Sequence, residues 1–390
     1  MGSPSLLPIT GYSVCNALGP DRTAVLQHLR QGQRGLGEVP FPLPFATVAG
    51  AVRDPLPELP PELAGWSNRP TRFAKHLVDQ LEPALARTRE RWRPERIGIV
   101  LGTSTSGADA TEHAYAHFIE HGALPDDYDF RKQHTFGALV DVLGRLTGAR
   151  GPAWAVSTTC TSGAKPFGSA RRLIASDVLD AVIVGGIDTL CAMTLSGFHA
   201  LGALSSAACK PFSQERDGIN IGEGGALLLI ERRGDGPAVL EAVGESSDAY
   251  HISAPHPEGL GARLAMQRAL HEAGIEPGDV DHINAHGTGT PLNDAAEGKA
   301  ITAVFGDEIP VVSTKGYTGH TLGGAGAIEA AISVMCMEEG FVPPSPGVEP
   351  QDPKITANIT RALIERPLRR VLSNSFAFGG SNASVLMRSA

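Results

Sequence analysis

The chain has 390 residues and 46 glycines, a composition that suits a large α/β protein with many tight strand-to-helix turns better than a helical bundle or a disordered chain. A net charge of -9 gives no bulk attraction to nucleic acid or an anionic membrane, and no apolar run reaches the ~20 residues of a membrane span. The cysteines, at 15, 160, 191, 209 and 336, show neither zinc-ligand spacing nor a disulfide framework, so a reducing, cytoplasmic setting fits best.

In chain order, the N-terminal stretch MGSPSLLPITGYSVCNALG lacks the basic region and long apolar core of a leader. Short apolar runs then recur: IGIVLG (97–102), DAVIVGG (180–186), GALLLIE (225–231) and VDHINAHG (280–287). They read as fully buried strands of a parallel sheet. GARLAMQRALHEAG (261–274) and GAIEAAISVMCMEEG (326–340) have helical periodicity and stop at glycine. Two echoes link the halves. Residues 97–107 resemble 283–289, each a buried run ending in a Gly-Thr loop, and AVSTTCTSGA (155–164) resembles VVSTKGYTGH (311–320). A duplication would place the seam in ERRGDGPAVLEAVG (231–244), dividing the chain into halves 1–235 and 236–390. Chance similarity between Gly-rich strand ends accounts for the echoes about equally well.

Cys160 stands where the apolar run of residues 154–156 meets a small-residue turn and a segment of helical spacing. A helix start favours the thiolate, and the cysteine's own N–H can point at a bound carbonyl oxygen. The ordinary alternative is an inert buried thiol, which is the better reading for the other four cysteines. Downstream, His286 lies on a Gly-Thr-Gly turn after a strand, while Lys315 and His320 lie between another strand and another helix. At the carboxyl edge of a sheet such residues converge. One histidine would serve a thiol hydrolase. Two neutral imidazoles can both donate to one oxygen, holding an enolate as a β-carboxyl leaves as carbon dioxide; the enolate carbon then attacks an acyl thioester on Cys160.

STTCTSGA, PFSQERDGINIGEGGALLLIE, NAHGTGTPLND, STKGYTGHTLGGAGAIEA and SNSFAFGGSNAS, in that order from Cys160 almost to the C-terminus, resemble the thiolase-superfamily condensing enzymes. The match is specifically to the β-ketoacyl-acyl carrier protein synthases with a Cys-His-His site. The resemblance implies a five-layered αβαβα thiolase fold of two duplicated halves, usually a dimer. It maps the nucleophile onto Cys160, the decarboxylation pair onto His286 and His320, and the active-site lysine onto Lys315 with Glu329 as its acidic partner. Asp294 and Glu297 match supporting acidic positions, and Phe378 matches the aromatic gate whose N–H is the second oxyanion donor. Phe376 shares that loop, with core packing as likely a role as function.

The resemblance also implies acyl- and malonyl-loaded acyl carrier protein as partner, with Arg69, Arg72 and Lys75 as the docking candidates. A solvated helix face is the equal alternative. The dimer would be homomeric or formed with a chain-length-factor-like subunit. No nucleotide cofactor and no metal is expected. Two departures stand out: Ala377 replaces the usual glycine of the gate loop, and Lys165 stands where a neutral polar residue is usual. The alanine restricts movement of the gate, while the charge at Lys165 and the unusual Cys-Thr-Ser context of residues 160–162 point to a specialised subgroup making polyenes or another secondary product. The loop GTSTSGADATEHAYAHF (102–118) is expected to line the pocket or the dimer seam. Thiolases need a second cysteine near the C-terminus, and type III synthases carry Asn in place of the second histidine; this chain has neither feature.

Overall fold

The computed structural model describes residues 6–390; the first five, part of the stretch read above for a leader, lie outside the described residues. Ten strands form one mixed sheet. They are β1 (Leu7–Asn16), β2 (Ile97–Gly102), β3 (Ala153–Val156), β4 (Ala181–Asp188), β5 (Gly224–Glu231), β6 (Ala238–Ser247), β7 (His282–Asn284), β8 (Val311–Val312), β9 (Arg370–Phe376) and β10 (Ser381–Ser389). Across the sheet the order is β8-β7-β9-β10-β6-β1-β5-β4-β2-β3.

Each half follows one scheme. β2 runs parallel to β3 and β4, and β4, β5 and β1 are successively antiparallel. β7 runs parallel to β8 and β9, and β9, β10 and β6 are successively antiparallel. The echoes in the sequence therefore fall on equivalent strands, β2 with β7 and β3 with β8. The sheet is not parallel throughout: GALLLIE is the antiparallel β5. Its continuous apolar run reflects helices covering both faces, which strand direction does not alter. A short ladder, Leu7 with Leu240 and Ile9 with Ala238, joins the halves edge to edge.

The main helices are α1 (Arg22–Gln31), α2 (Arg69–Arg91), α3 (Ala108–His121), α4 (Phe136–Thr147), α5 (Lys165–Ala175), α6 (Ala192–Ala200), α7 (Leu260–Ala273), α8 (Pro291–Phe305) and α9 (Ala325–Glu339). α2 and α4 cover the outer face of the first half, α7 and α8 that of the second, and α5 and α9 lie between the halves. This is the five-layered thiolase arrangement. Alternation along β5 shows how the residues build it. Leu227 and Leu229 pack outward under α2 and α4, while Ala226, Leu228 and Ile230 face the middle layer. α9 touches strands of both halves and is buried on every side from Ala325 to Met337, which explains its lack of a polar face.

The middle layer brings the site together because its small residues let backbones touch. A Cβ on Gly163 would lie 2.7 Å from the Gly323 carbonyl oxygen and 2.9 Å from the Ala327 nitrogen. The turn carrying Cys160 is thereby pressed against the start of α9 and the loop that carries His320.

Candidate active site

Cys160 lies four residues beyond the end of β3, in a tight turn whose preceding residue, Thr159, is held at φ +54. The turn is fixed by Ser162, whose N–H and hydroxyl both donate to the Thr159 carbonyl, at 3.1 and 2.6 Å. α5 begins only at Lys165, so the thiol stands ahead of the helix rather than at its first residue. Here the electrostatic expectation is corrected. Burial dominates and pushes the Cys160 thiol up to about 11, against the opposing pull of the Lys315 charge and of the Phe378 and Cys160 backbone N–H groups. Both N–H groups favour the ionised sulfur. His320 Nε2 lies 2.9 Å from Sγ.

His286 follows β7, and His320 follows β8 after one helical turn, Lys315–Thr318. The two rings meet nearly edge to face, with centroids 5.4 Å apart at 86°. One donor atom from each of Cys160, His286 and His320 falls within 4.8 Å of the others. Both imidazoles are held well below the ordinary histidine value, first by burial and then by the Lys315 charge. They are neutral at physiological pH, each keeping one N–H to donate. A Cys-His-His set is also of the type that binds zinc.

The charged supports are all buried. Lys315 Nζ forms an ion pair with Glu329 on α9, and both side chains are 3% exposed or less. Glu297, on α8, accepts from the His286 and Gly287 amides at 2.7 Å each and so pins the loop of the first histidine. Burial raises its carboxyl to about 7, with the two amides opposing the rise. Asp294 accepts from the Phe212 amide at 2.7 Å and the Gly289 amide at 3.1 Å. It braces the far end of that loop.

Asp188, which sequence reasoning passed over, anchors the second histidine's loop. Its carboxylate accepts from the Thr103 hydroxyl at 2.7 Å, the Thr105 amide at 2.8 Å and the Gly323 amide at 2.6 Å. Residues 102–118 were expected to line the pocket or the dimer seam; the first part, with Thr103, Ser104 and Thr105, wraps this carboxylate. A carboxylate ending the otherwise apolar run VIVGGID was the available signal. His320 is held further by its amide donating to the Asn220 carbonyl at 2.7 Å and by its carbonyl accepting from the Gly222 amide at 3.0 Å.

The gate loop follows β9. Phe376 is buried with its ring 6.1 Å from His286, whereas Phe378 is 37% exposed and its ring lies 6.1 Å from Phe198. Gly379 and Gly380 take φ of +84 and +78, so the backbone freedom of this loop follows Phe378, and Ala377 precedes it at no left-handed φ. Lys165 faces Glu245 on β6 at 4.0 Å. Lys315, not Lys165, is the cation that acts on the thiol. A cavity of about 290 Å³ runs over Cys160, His286 and His320, lined by Phe198, Leu201, Ile219, Leu292, Phe376 and Phe378 among others.

The three docking candidates open α2, and each has a local partner. Arg69 is committed to the buried Glu223 carboxylate and to the Val52 carbonyl at 2.9 Å. Arg72 donates to the Leu56 carbonyl at 2.6 Å and pairs with Glu58 at 2.8 Å, and Lys75 pairs with Asp79. Reversing Arg69 would strand Glu223 inside the protein, so that change reports on folding before docking.

The model of the beta-ketoacyl synthase N-terminal domain matches residues 7–235, and that of the C-terminal domain matches residues 237–349. The chain is 35% identical over 311 residues to a 3-oxoacyl-[acyl-carrier-protein] synthase 2 of Staphylococcus aureus, covering 75% of each. It is 32% identical to one of Coxiella burnetii, covering 97% of each. Among solved structures, the ketosynthase ApeO in complex with its chain length factor ApeC from Xenorhabdus doucetiae superposes with a TM-score of 0.92 at 37% identity over the whole of both chains. A beta-ketoacyl synthase from Burkholderia phymatum superposes with a TM-score of 0.91 at 26% identity, covering 99% of this chain and all of that one. The chain belongs to the beta-ketoacyl synthase family of thiolase-fold condensing enzymes.

Proposed function

We propose that the protein lengthens acyl chains by decarboxylative Claisen condensation on acyl carrier protein, with Cys160 as nucleophile. The observation that carries this reading is one sulfur 2.9 Å from a neutral imidazole, with a second neutral imidazole beside it and the Cys160 and Phe378 backbone N–H groups favouring its ionised form. Cys160 Sγ attacks the carbonyl of an acyl-carrier thioester. The oxyanion sits between the Cys160 and Phe378 N–H groups, and the carrier thiol leaves with the proton lost by Cys160. Malonyl-carrier then enters. Its carboxyl–carbon bond breaks, carbon dioxide departs, and the electron pair moves to an enolate oxygen held by the ring N–H groups of His286 and His320. The enolate carbon attacks the Cys160 thioester, and expulsion of the thiolate releases β-ketoacyl-carrier. Lys315 supplies positive charge nearby, while Glu329, Glu297 and Asp294 hold the loops.

The partner surface is read from the sheet edges. β8 is covered by residues 358–360, whereas β3 is an edge strand with Trp154 exposed, and α3 exposes Tyr115, Phe118 and Ile119. An open strand edge with apolar neighbours fits a second chain of the same fold. A heterodimer is the second reading, supported by two neighbours solved with chain length factors, ApeO and the ishigamide ketosynthase.

Intact-mass spectrometry with acyl-carrier thioester, followed by malonyl-carrier, tests the chemistry. The expected result is an acyl adduct absent from Cys160→Ala, and elongated product only after malonyl addition. Folded protein giving no adduct, with or without a chain-length-factor-like partner, refutes it.

A further inference from the structure

Thr159 carries two features that the condensation chemistry leaves unused. It is a β-branched residue at φ +54, a conformation rare for such side chains, so the backbone there is strained. Its hydroxyl lies 2.9 Å from the carbonyl oxygen of Phe378 and 2.7 Å from that of Thr158. The Phe378 carbonyl is thus tied to the nucleophile turn, while the N–H of the same residue, in the preceding peptide group, favours the ionised sulfur. A second tie lies two residues along, where the Thr161 hydroxyl donates to Ser381 Oγ at 3.2 Å.

From this arrangement we propose that Thr159 is a positioning residue, a latch that sets the Phe378 N–H as oxyanion donor and releases the gate loop by turning its proton to the Thr158 carbonyl. The inference rests on the condensing role of Cys160. One hydroxyl proton faces two acceptors at a solvent-exposed position, so the donor keeps a partner as the latch opens and the loop leaves at the cost of one weak bond. Gly379 and Gly380, just beyond Phe378, already occupy left-handed backbone and take up the swing. Ala377 on the other side carries a Cβ that limits the motion there, which concentrates the movement in Phe378 and the two glycines. The left-handed kink at Thr159 aims its hydroxyl across at the loop, and Ser162 holds the kink in place.

Thr159→Val keeps the β-branch and the backbone strain but removes the hydroxyl; Thr159→Ser keeps the hydroxyl. The acylation half-reaction, followed by stopped-flow and mass spectrometry, is expected to slow about 10-fold in Thr159→Val with little change in the KM for acyl-carrier, and to recover to within about 2-fold in Thr159→Ser. Rescue by serine separates positioning from packing, since serine is the worse volume match. Alkylation of Cys160 by iodoacetamide needs no substrate and is expected to slow in Thr159→Val and recover in Thr159→Ser. Wild-type rates for Thr159→Val in both assays overturn the latch. If no variant, wild type included, is acylated by carrier thioester, the condensing role fails and alkylation alone decides whether Thr159 positions Phe378.

Discussion

At the scale of single residues, the site is governed by burial. The thiol, two imidazoles and four carboxyls, Asp188, Asp294, Glu297 and Glu329, all shift toward their neutral forms because desolvation leads in every case. Neutrality suits the histidines, which must donate N–H groups. It sets a cost for Cys160, since only the thiolate attacks. Below its folded pKa the thiol is protonated and slow, and reactivity rises with pH. Alkylation of Cys160 by iodoacetamide should therefore climb through an inflection near about 11, above the value near 9 of an ordinary thiol. A midpoint at or below 9 would show that the imidazole, the Lys315 charge and the backbone N–H groups outweigh burial.

At the scale of elements, the Lys315–Glu329 pair joins the loop of the second histidine to α9. Removing one partner leaves a buried charge, whereas replacing both with apolar groups removes the mismatch. Lys315→Met should cost about 3–5 kcal/mol in urea unfolding at neutral pH, and Lys315→Met with Glu329→Leu should recover most of that loss. The sign with pH follows from the carboxyl. Burial already raises Glu329, with Lys315 opposing. Without the lysine the folded protein binds a proton more readily than the unfolded chain, so the single variant regains stability as pH falls. Equal losses in single and double variants would show that the pair adds net stability by itself.

At the scale of the whole molecule, the two sheet edges differ. With β8 covered and β3 open, the chain reads as half of an assembly. Trp154→Asp combined with Ile119→Asp should convert the assembled species to monomer in sedimentation velocity, with the fold retained by circular dichroism. Assembly that survives both changes would move the interface elsewhere on the surface. The dimer reading would then rest on the relatives alone.

Much of the site was legible in the sequence because its chemistry sits in short local motifs. Cys160, His286, His320 and Lys315 each occupy a Gly- and Thr-rich strand end, and Glu329 sits at a fixed distance along the next helix. The duplication was legible as faint echoes; the sheet order turned them into equivalent strands. Three things were decided only by tertiary structure. Strand direction was one, since a strand covered on both faces is apolar whichever way it runs. The fate of Arg69 was another: helical spacing presents a cation, but only the fold places the buried Glu223 against it. The last was the balance at Cys160. A sequence shows the turn that favours a thiolate, while the desolvation opposing it comes from burial that the fold creates by bringing the loops of His286, His320 and Phe378 and the region of Phe198 around the sulfur.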